Sequence, residues 1–414
     1  MEKVCKLFKV VVAMYGVLVI SPSMAQQMRV TASANGNVYA SNRNSRTITV
    51  TVNANTNTTT NVTCQEASSV EKGESVTLVE KKKLITKVYS VEPKDVLQIN
   101  NQHGHVNVEL WNRNEIKIEI NIVGHGSTEE KAQAYVDGVD IAEVRVKNKI
   151  TLRTNITSEN NGDWWDKLSF KSSSKDSDNE KQGVEVNYQV YMPKNNPLMV
   201  SNRYGNTNVP EFSAPLSIVT SYGNFVSDRL SGNEKNINVQ YGKANIKQLD
   251  EAELKISYSK LNIDKANIIK LANMFGSVVL DQVNTIEGNL QYSNGKIGTI
   301  KENGKIYISY SDGLELRELP QSLKSLDLKC NYTTVKLPVT PDCNADFDVT
   351  VNYANFKYPS DKCTLTVNPD EENAQKRMGF IPQKNYKGKI GKGTGTKIVI
   401  HSNYGGVKFL EKDK

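Results

Sequence analysis

Acidic side chains recur at one fixed offset in the second half of this 414-residue chain. Glu253, Glu287, Asp327 and Asp348 each stand five residues before an aromatic residue. Two carboxylates flanking a glycosidic bond are the machinery of sugar-chain cleavage, one protonating the leaving oxygen and the other acting on the ring or on water. Asp327 and Asp348 precede consecutive aromatics, so they are expected on neighbouring turns of chain and form the best pair for that chemistry. The plainer reading is that such carboxylates are solvated or paired with a nearby lysine such as Lys329. Around the aromatics little else can act as acid or base: one residue before and two residues after them, the sole carboxylate is Asp312.

Lysines form a second recurring set. Lys336, Lys357 and Lys408 each follow an aromatic by four residues, as does Lys296. In register they make a basic stripe suited to acidic glycans or anionic lipid headgroups. The competing role is protection of a sheet edge against strand pairing. Trp164 and Trp165 lie in a stretch, 158–183, that is polar apart from them, Leu168 and Phe170, and read either as an exposed platform for sugar or membrane or as a plug folded onto the body. His103 and His105 flank Gly104 in a turn, and a metal would need further ligands, so structural roles are expected for both. No metal, cofactor or catalytic residue is assigned. Cys343 and Cys363 lie ten residues either side of Tyr353, which leaves a disulfide and two buried free thiols as equal alternatives. No P-loop, nucleophile elbow, dinucleotide fingerprint or zinc-protease motif occurs.

A repeat positions these residues. Tyr204, Tyr222, Tyr241, Tyr258, Phe275, Tyr292, Tyr310, Tyr332, Tyr353 and Tyr404 follow one another at spacings of 18, 19, 17, 17, 17, 18, 22, 21 and 51 residues. A period near 18 marks a repeat architecture. Apolar residues stand two and four before the aromatic, as Val239 and Ile237 do before Tyr241. They stand again three and five after it, as Ala244 and Ile246 do. Alternation with period two means strands, and its phase shift at the aromatic, beside Gly, Ser or Asn, means a tight corner. A unit this short encloses no core alone and must stack on its neighbours. The expected fold is therefore all-β, a right-handed parallel β-solenoid (β-helix) with an aromatic at one corner of each coil, its hand taken from the crossover rule. An antiparallel sandwich also fits short, evenly spaced strands, but gives no reason for one aromatic per unit.

Four segments are expected. Residues 1–25 have the order of a signal peptide: Lys3, Lys6 and Lys9, an apolar run over 10–20, then small residues up to Ala25. The run is too short to span a bilayer. Residues 26–85 are Asn/Thr-rich and of low complexity. Residues 86–195 form an N-terminal β-rich cap. It holds a first coil-like phrase, 101–108, with His103 in the tyrosine place, and one short helix after Ser127, which has capping-box spacing to Glu130. Residues 196–414 are the coils, with an inserted Gly-rich loop at 368–396.

The 52 Lys and Arg against 45 Asp and Glu give a formal charge of +7, too small and too evenly spread for nucleic-acid binding. From about residue 87 onward the chain resembles the secreted β-solenoid proteins of Gram-negative bacteria called putative adhesins. The likeness rests on the phrase 99–108, Trp111 to Ile116, the helix after Ser127, the strand Tyr188 to Pro193, the Tyr-Gly coils and the phrase 386–391. The resemblance implies a non-enzymatic envelope or surface protein and transfers no ligand residue. The expected function is adhesion through a glycan or cell-surface ligand, with export to periplasm, outer-membrane surface or medium. The alternatives are a periplasmic envelope-stress or assembly partner acting by protein contact, and a polysaccharide lyase or hydrolase.

Overall fold

The computed structural model describes residues 28–32, 37–42, 47–52, 62–65, 78–157, 182–371 and 382–412. The expected signal peptide and the Trp164–Trp165 pair lie outside these residues. The chain divides into two units, 1–76 and 77–414.

In the first unit, Met28–Ala32, Asn37–Asn42, Thr47–Val52 and Val62–Gln65 form an antiparallel four-stranded meander. Asn/Thr-rich composition reads as low complexity, yet Thr47–Val52 alternates β-branched residues, which suits a strand.

The second unit is nearly all β, and its sheet is mixed. Between repeats the pairing is parallel. Leu198–Arg203 lies on Leu216–Ser221, which lies on Lys235–Gln240, with Val200, Ile218, Ile237 and Leu254 in one buried row. Beyond the corner, Phe225, Ala244 and Leu261 form another. Inward positions are aliphatic and almost fully buried, so one continuous core runs through the stack.

Each corner is built by its aromatic. Its backbone is left-handed, with φ between 49° and 61° from Tyr204 to Tyr404, a conformation that costs an L-residue about 1–2 kcal/mol. Stacking on the next ring returns about 0.5–1.5 kcal/mol per pair, which largely offsets the strain. Phe275 serves as well as tyrosine, so the hydroxyl is not required. The residue after the aromatic must let backbones approach: a Cβ on Gly205 would overlap the carbonyl oxygen of Gly104, and one on Gly223 that of Gly205.

Both ends of this unit are antiparallel. At the N-terminal end Val79–Ser90 lies on Glu115–Gly126, which lies on Gly183–Pro193, and Val139–Val146 lies on Lys149–Ile156. The helix Glu129–Asp137 packs here through Ala132 and Val136. Its N-cap is Thr128 rather than Ser127. The Thr128 backbone is extended and its Oγ1 accepts from the Lys131 N–H, whereas the Ser127 hydroxyl takes the Lys131 ammonium at 3.1 Å. Thr128→Ala is expected to cost about 1 kcal/mol in urea unfolding, and Ser127→Ala much less.

At the C-terminal end chain order and spatial order part. Thr396–Asn403 lies in parallel between Ser325–Asn331 and Ala345–Asn352. Val407–Glu411 likewise lies between Val335–Val339 and Phe356–Lys357. The last repeat is thus threaded between the two before it. The stretch 368–396, expected as a loop, holds the strand Gln383–Ile390, antiparallel to Ala345–Asn352 on one side and Cys363–Val367 on the other. Its glycines suggested a loop, but Tyr386, Gly388 and Ile390 alternate inward. Gly388 is there for close approach, since a Cβ would overlap the Thr364 carbonyl.

Candidate functional site

The corner residues form one unbroken ladder. His103 stacks on Tyr204 at 4.8 Å between ring centroids, and the series continues through Tyr222, Tyr241, Tyr258, Phe275, Tyr292, Tyr310 and Tyr332 at 4.7–5.2 Å. It then passes to Tyr404 and ends on Tyr353. From Tyr222 onward each ring is 40–56% exposed, but within the ladder, short of the terminal Tyr353, neighbouring rings cover both faces. What reaches solvent is a ridge of ring edges and hydroxyls. A sugar stacking on an aromatic face finds no such face along the ridge.

His103 takes the tyrosine place, with φ 58°. Burial, and then the Arg203 guanidinium, pull its imidazole down to about 4 from 6.5. The folded protein therefore holds it neutral where the unfolded chain takes a proton. This contribution is complete above pH 6.5 and is lost as the pH falls toward 4. His103→Tyr should keep the stack and remove that part of the pH dependence, read from urea unfolding at pH 7 and 4.5. An unchanged slope would refute it.

The acids expected to pair do not meet. Val399 stands opposite both Asp327 and Asp348, so the threaded strand separates them by a full rung. Spacing along the chain made them neighbours; the last repeat intervenes in space. Asp348 is also engaged by Lys387 at 3.2 Å and Asn385 at 2.6 Å. Glu287 pairs with Lys305 at 3.2 Å and Glu253 with Lys255 at 3.1 Å. Asp327, with Lys305 opposite it on its other side, has a buried Oδ1 without a hydrogen-bond partner. It borders a trough of about 510 Å³ shared with Glu253, Lys270, Glu287, Lys305 and Tyr307. Acids and lysines alternate along this trough, and no two of its acids stand on adjoining rungs.

The lysines do meet. Lys336 lies opposite Lys408, and Lys408 opposite Lys357, giving three on consecutive rungs. Lys296 is set apart from them by Glu315. The same column starts as asparagines: Asn208 donates to Asn107 at 2.7 Å and Asn262 to Asn245 at 2.6 Å. Sequence offset alone found the three lysines, but their order, with Lys408 in the middle, follows from the threading.

Cys330, Cys343 and Cys363 are free and buried. Burial pushes the thiols of Cys343 and Cys363 up, to about 11 and about 12, and in Cys363 the neighbouring Cys343 adds to the effect. His105 Nδ1 accepts from the Asn206 N–H at 3.1 Å, a structural use. Among the described residues no group of three His, Cys, Asp or Glu is placed to hold a metal ion, and no helix is long and apolar enough to cross a membrane.

No family model and no curated protein matches the chain. Solved structures resemble it weakly. A putative adhesin from Bacteroides fragilis is 11% identical, with 79% of this chain and 97% of that one covered and a TM-score of 0.29. A putative cell adhesion protein from Clostridium sporogenes is 12% identical, covering 80% and 100%, with a TM-score of 0.19. A putative adhesin from Parabacteroides merdae is 11% identical, covering 79% and 96%, with a TM-score of 0.27. Likenesses this slight leave the function to be argued from the chain's own surface.

Proposed function

We propose that the chain is an exported, non-enzymatic protein of the adhesin type, a right-handed parallel β-solenoid that offers its outer columns to a glycan or other cell-surface ligand. The observation that carries this reading is the regularity of the surface. Amide pairs such as Asn208–Asn107 and Asn262–Asn245 recur in register along one column, and half-exposed rings recur along the corner. A polar surface that recurs over pairs of rungs, interrupted at Val226, suits a repeating ligand, because such rungs present like donors to successive units. Catalysis has less support, since three of the four candidate acids are ion-paired. Labelling intact cells with an impermeant amine reagent should mark this protein, and a glycan array should return ligands for it. A protein that is labelled only after lysis would end the surface-adhesion reading.

A second reading, an envelope partner acting by protein contact, has one observation in its favour. Leu84 and Val88 on Val79–Ser90, and Val144 and Val146 on Val139–Val146, are 54–66% exposed. Labelling only after lysis, with no glycan ligand, would favour it.

A further inference from the structure

The threaded repeat has opposite effects on two columns of charge. Val399 keeps Asp327 from facing Asp348, and so removes a like-charge contact that direct pairing of those rungs would create. Four residues past the corner it does the reverse and sets Lys408 between Lys336 and Lys357. Like charges directly opposite on adjacent strands destabilise a sheet. At a strand spacing of about 4.8 Å each neighbouring pair costs up to about 1 kcal/mol even in water-like surroundings. Elsewhere on this face Lys247 is matched with Asp228 at 2.7 Å and Arg317 with Asp281 at 3.3 Å. Lys243 faces Lys260 as an isolated like-charged pair, and Glu315 faces Lys336 from the rung before the row, so the row of three is the longest like-charged run described in this column. Among the described residues, the side chains of Lys336, Lys408 and Lys357 have no ion-pair or hydrogen-bond partner. A local rule broken without a stabilising return points to function.

We infer that this row is a binding site for an acidic polysaccharide, laid along the stack with its carboxylates or sulfates against the three ammonium groups. The inference rests on the surface-binding reading above and names its ligand class and its site. Three features favour a sugar chain over a lipid surface. The row is linear and spans three rungs, about 10 Å between its outer members, a length suited to a few sugar units. On its corner side stand Thr334, Gly406 and Asn355. A Cβ on Gly406 would have nothing closer than 3.8 Å, so a notch opens beside Lys408 between a hydroxyl and an amide that can bind sugar hydroxyls. On its other side the exposed apolar group is Leu410, too little to enter a bilayer. Lys336 and Lys408 are only partly exposed, so their stems are held and less freedom is lost on binding.

The test uses the mature protein and oligogalacturonates of one, three and six units at low ionic strength, followed by calorimetry. The trimer should bind at least tenfold more tightly than the monomer, and binding should weaken steeply with salt. Lys408→Gln should weaken trimer binding at least tenfold, while Lys255→Gln and Lys270→Gln, which lie beside the trough, should not. Because Gln relieves repulsion, Lys408→Gln should unfold at the same or a higher urea concentration than the parent. Equal binding of monomer and trimer, binding indifferent to Lys408→Gln, or preference for phosphatidylserine vesicles through the same lysines would overturn the proposal. So would loss of stability in Lys408→Gln, which would make the row structural. Cell labelling is a separate measurement: a protein hidden from the surface refutes surface adhesion and leaves this ligand class standing, and the converse result refutes only the ligand class.

Discussion

A chain ending at Gly395 is expected to lose order across the whole C-terminal end, not only in the repeat removed. Residues 396–412 supply a strand hydrogen-bonded on both flanks, with Ile398, Ile400, Val407 and Phe409 buried. Each such side chain contributes about 1.5–3 kcal/mol, a sum comparable with the total stability of many domains. Without the segment, Ser325–Asn331 and Ala345–Asn352 face each other across an empty rung. Closing that gap directly would set Asp327 against Asp348 and Lys336 against Lys357. Hydrogen exchange should therefore show loss of protection over 325–390, with 198–300 largely unaffected, because in a stack each repeat contacts only its neighbours. A peptide of residues 396–412 added in trans should restore part of the protection. Equal protection with and without the segment would show that the rungs close without it.

The second large effect is expected at Gly242. A Cβ there would overlap the carbonyl oxygen of Gly223 and come within 2.8 Å of its carbonyl carbon. Both atoms belong to the backbone of a rung pinned on two sides, so no side-chain rotation relieves the clash. The Gly242 N–H also donates to Ser259 Oγ at 3.0 Å, which fixes it from the other side. Gly242→Val should cost at least about 3 kcal/mol, the upper end for overpacking. Lys243→Ala, whose side chain is exposed, should fall within about 0.5 kcal/mol. Urea unfolding of the two variants decides it, and a Gly242→Val change below 1 kcal/mol would mean that the rungs are not held at this spacing. Tyr241→Ala should fall between them, since it loses stacking on Tyr222 and Tyr258 but keeps a Cβ in a left-handed corner.

Much of this was legible before any coordinates, for a physical reason. Where a feature depends on the chain's immediate neighbours, the residues record it: the aromatic corners, the strands beside them, and His103 as the first ring of the ladder all follow from local alternation. The helix was legible too, though its cap was read one residue early, because Ser127 and Thr128 are both competent and only backbone geometry selects between them. The separation of Asp327 from Asp348 was not legible. Spacing measures distance along the chain, and nothing in a 51-residue gap between Tyr353 and Tyr404 says that the later repeat lies inside the earlier pair. The strand Gln383–Ile390 was hidden for a related reason. Its glycines serve close contact with Cys363–Val367, and glycine bends chains more often than it admits neighbours. For the proposed binding surface, the three lysines were visible as a set, but their contiguity was not.

The position of the last repeat also governs when the protein can be finished. From Tyr204 to Tyr332 each repeat pairs with the next one 17–22 residues away, and can form as the chain emerges. The rung beside Tyr332 must wait for residues 72 positions further on, such as Asn403 opposite Asn331. Contacts of that span form slowly, because a long loop must close first. The chain therefore carries an open gap until residues 396–412 arrive. Completion of the fold is timed by this threaded segment, and a chain cut short before it is marked by two unpaired strand edges, a state that proteases and chaperones can tell from the completed fold.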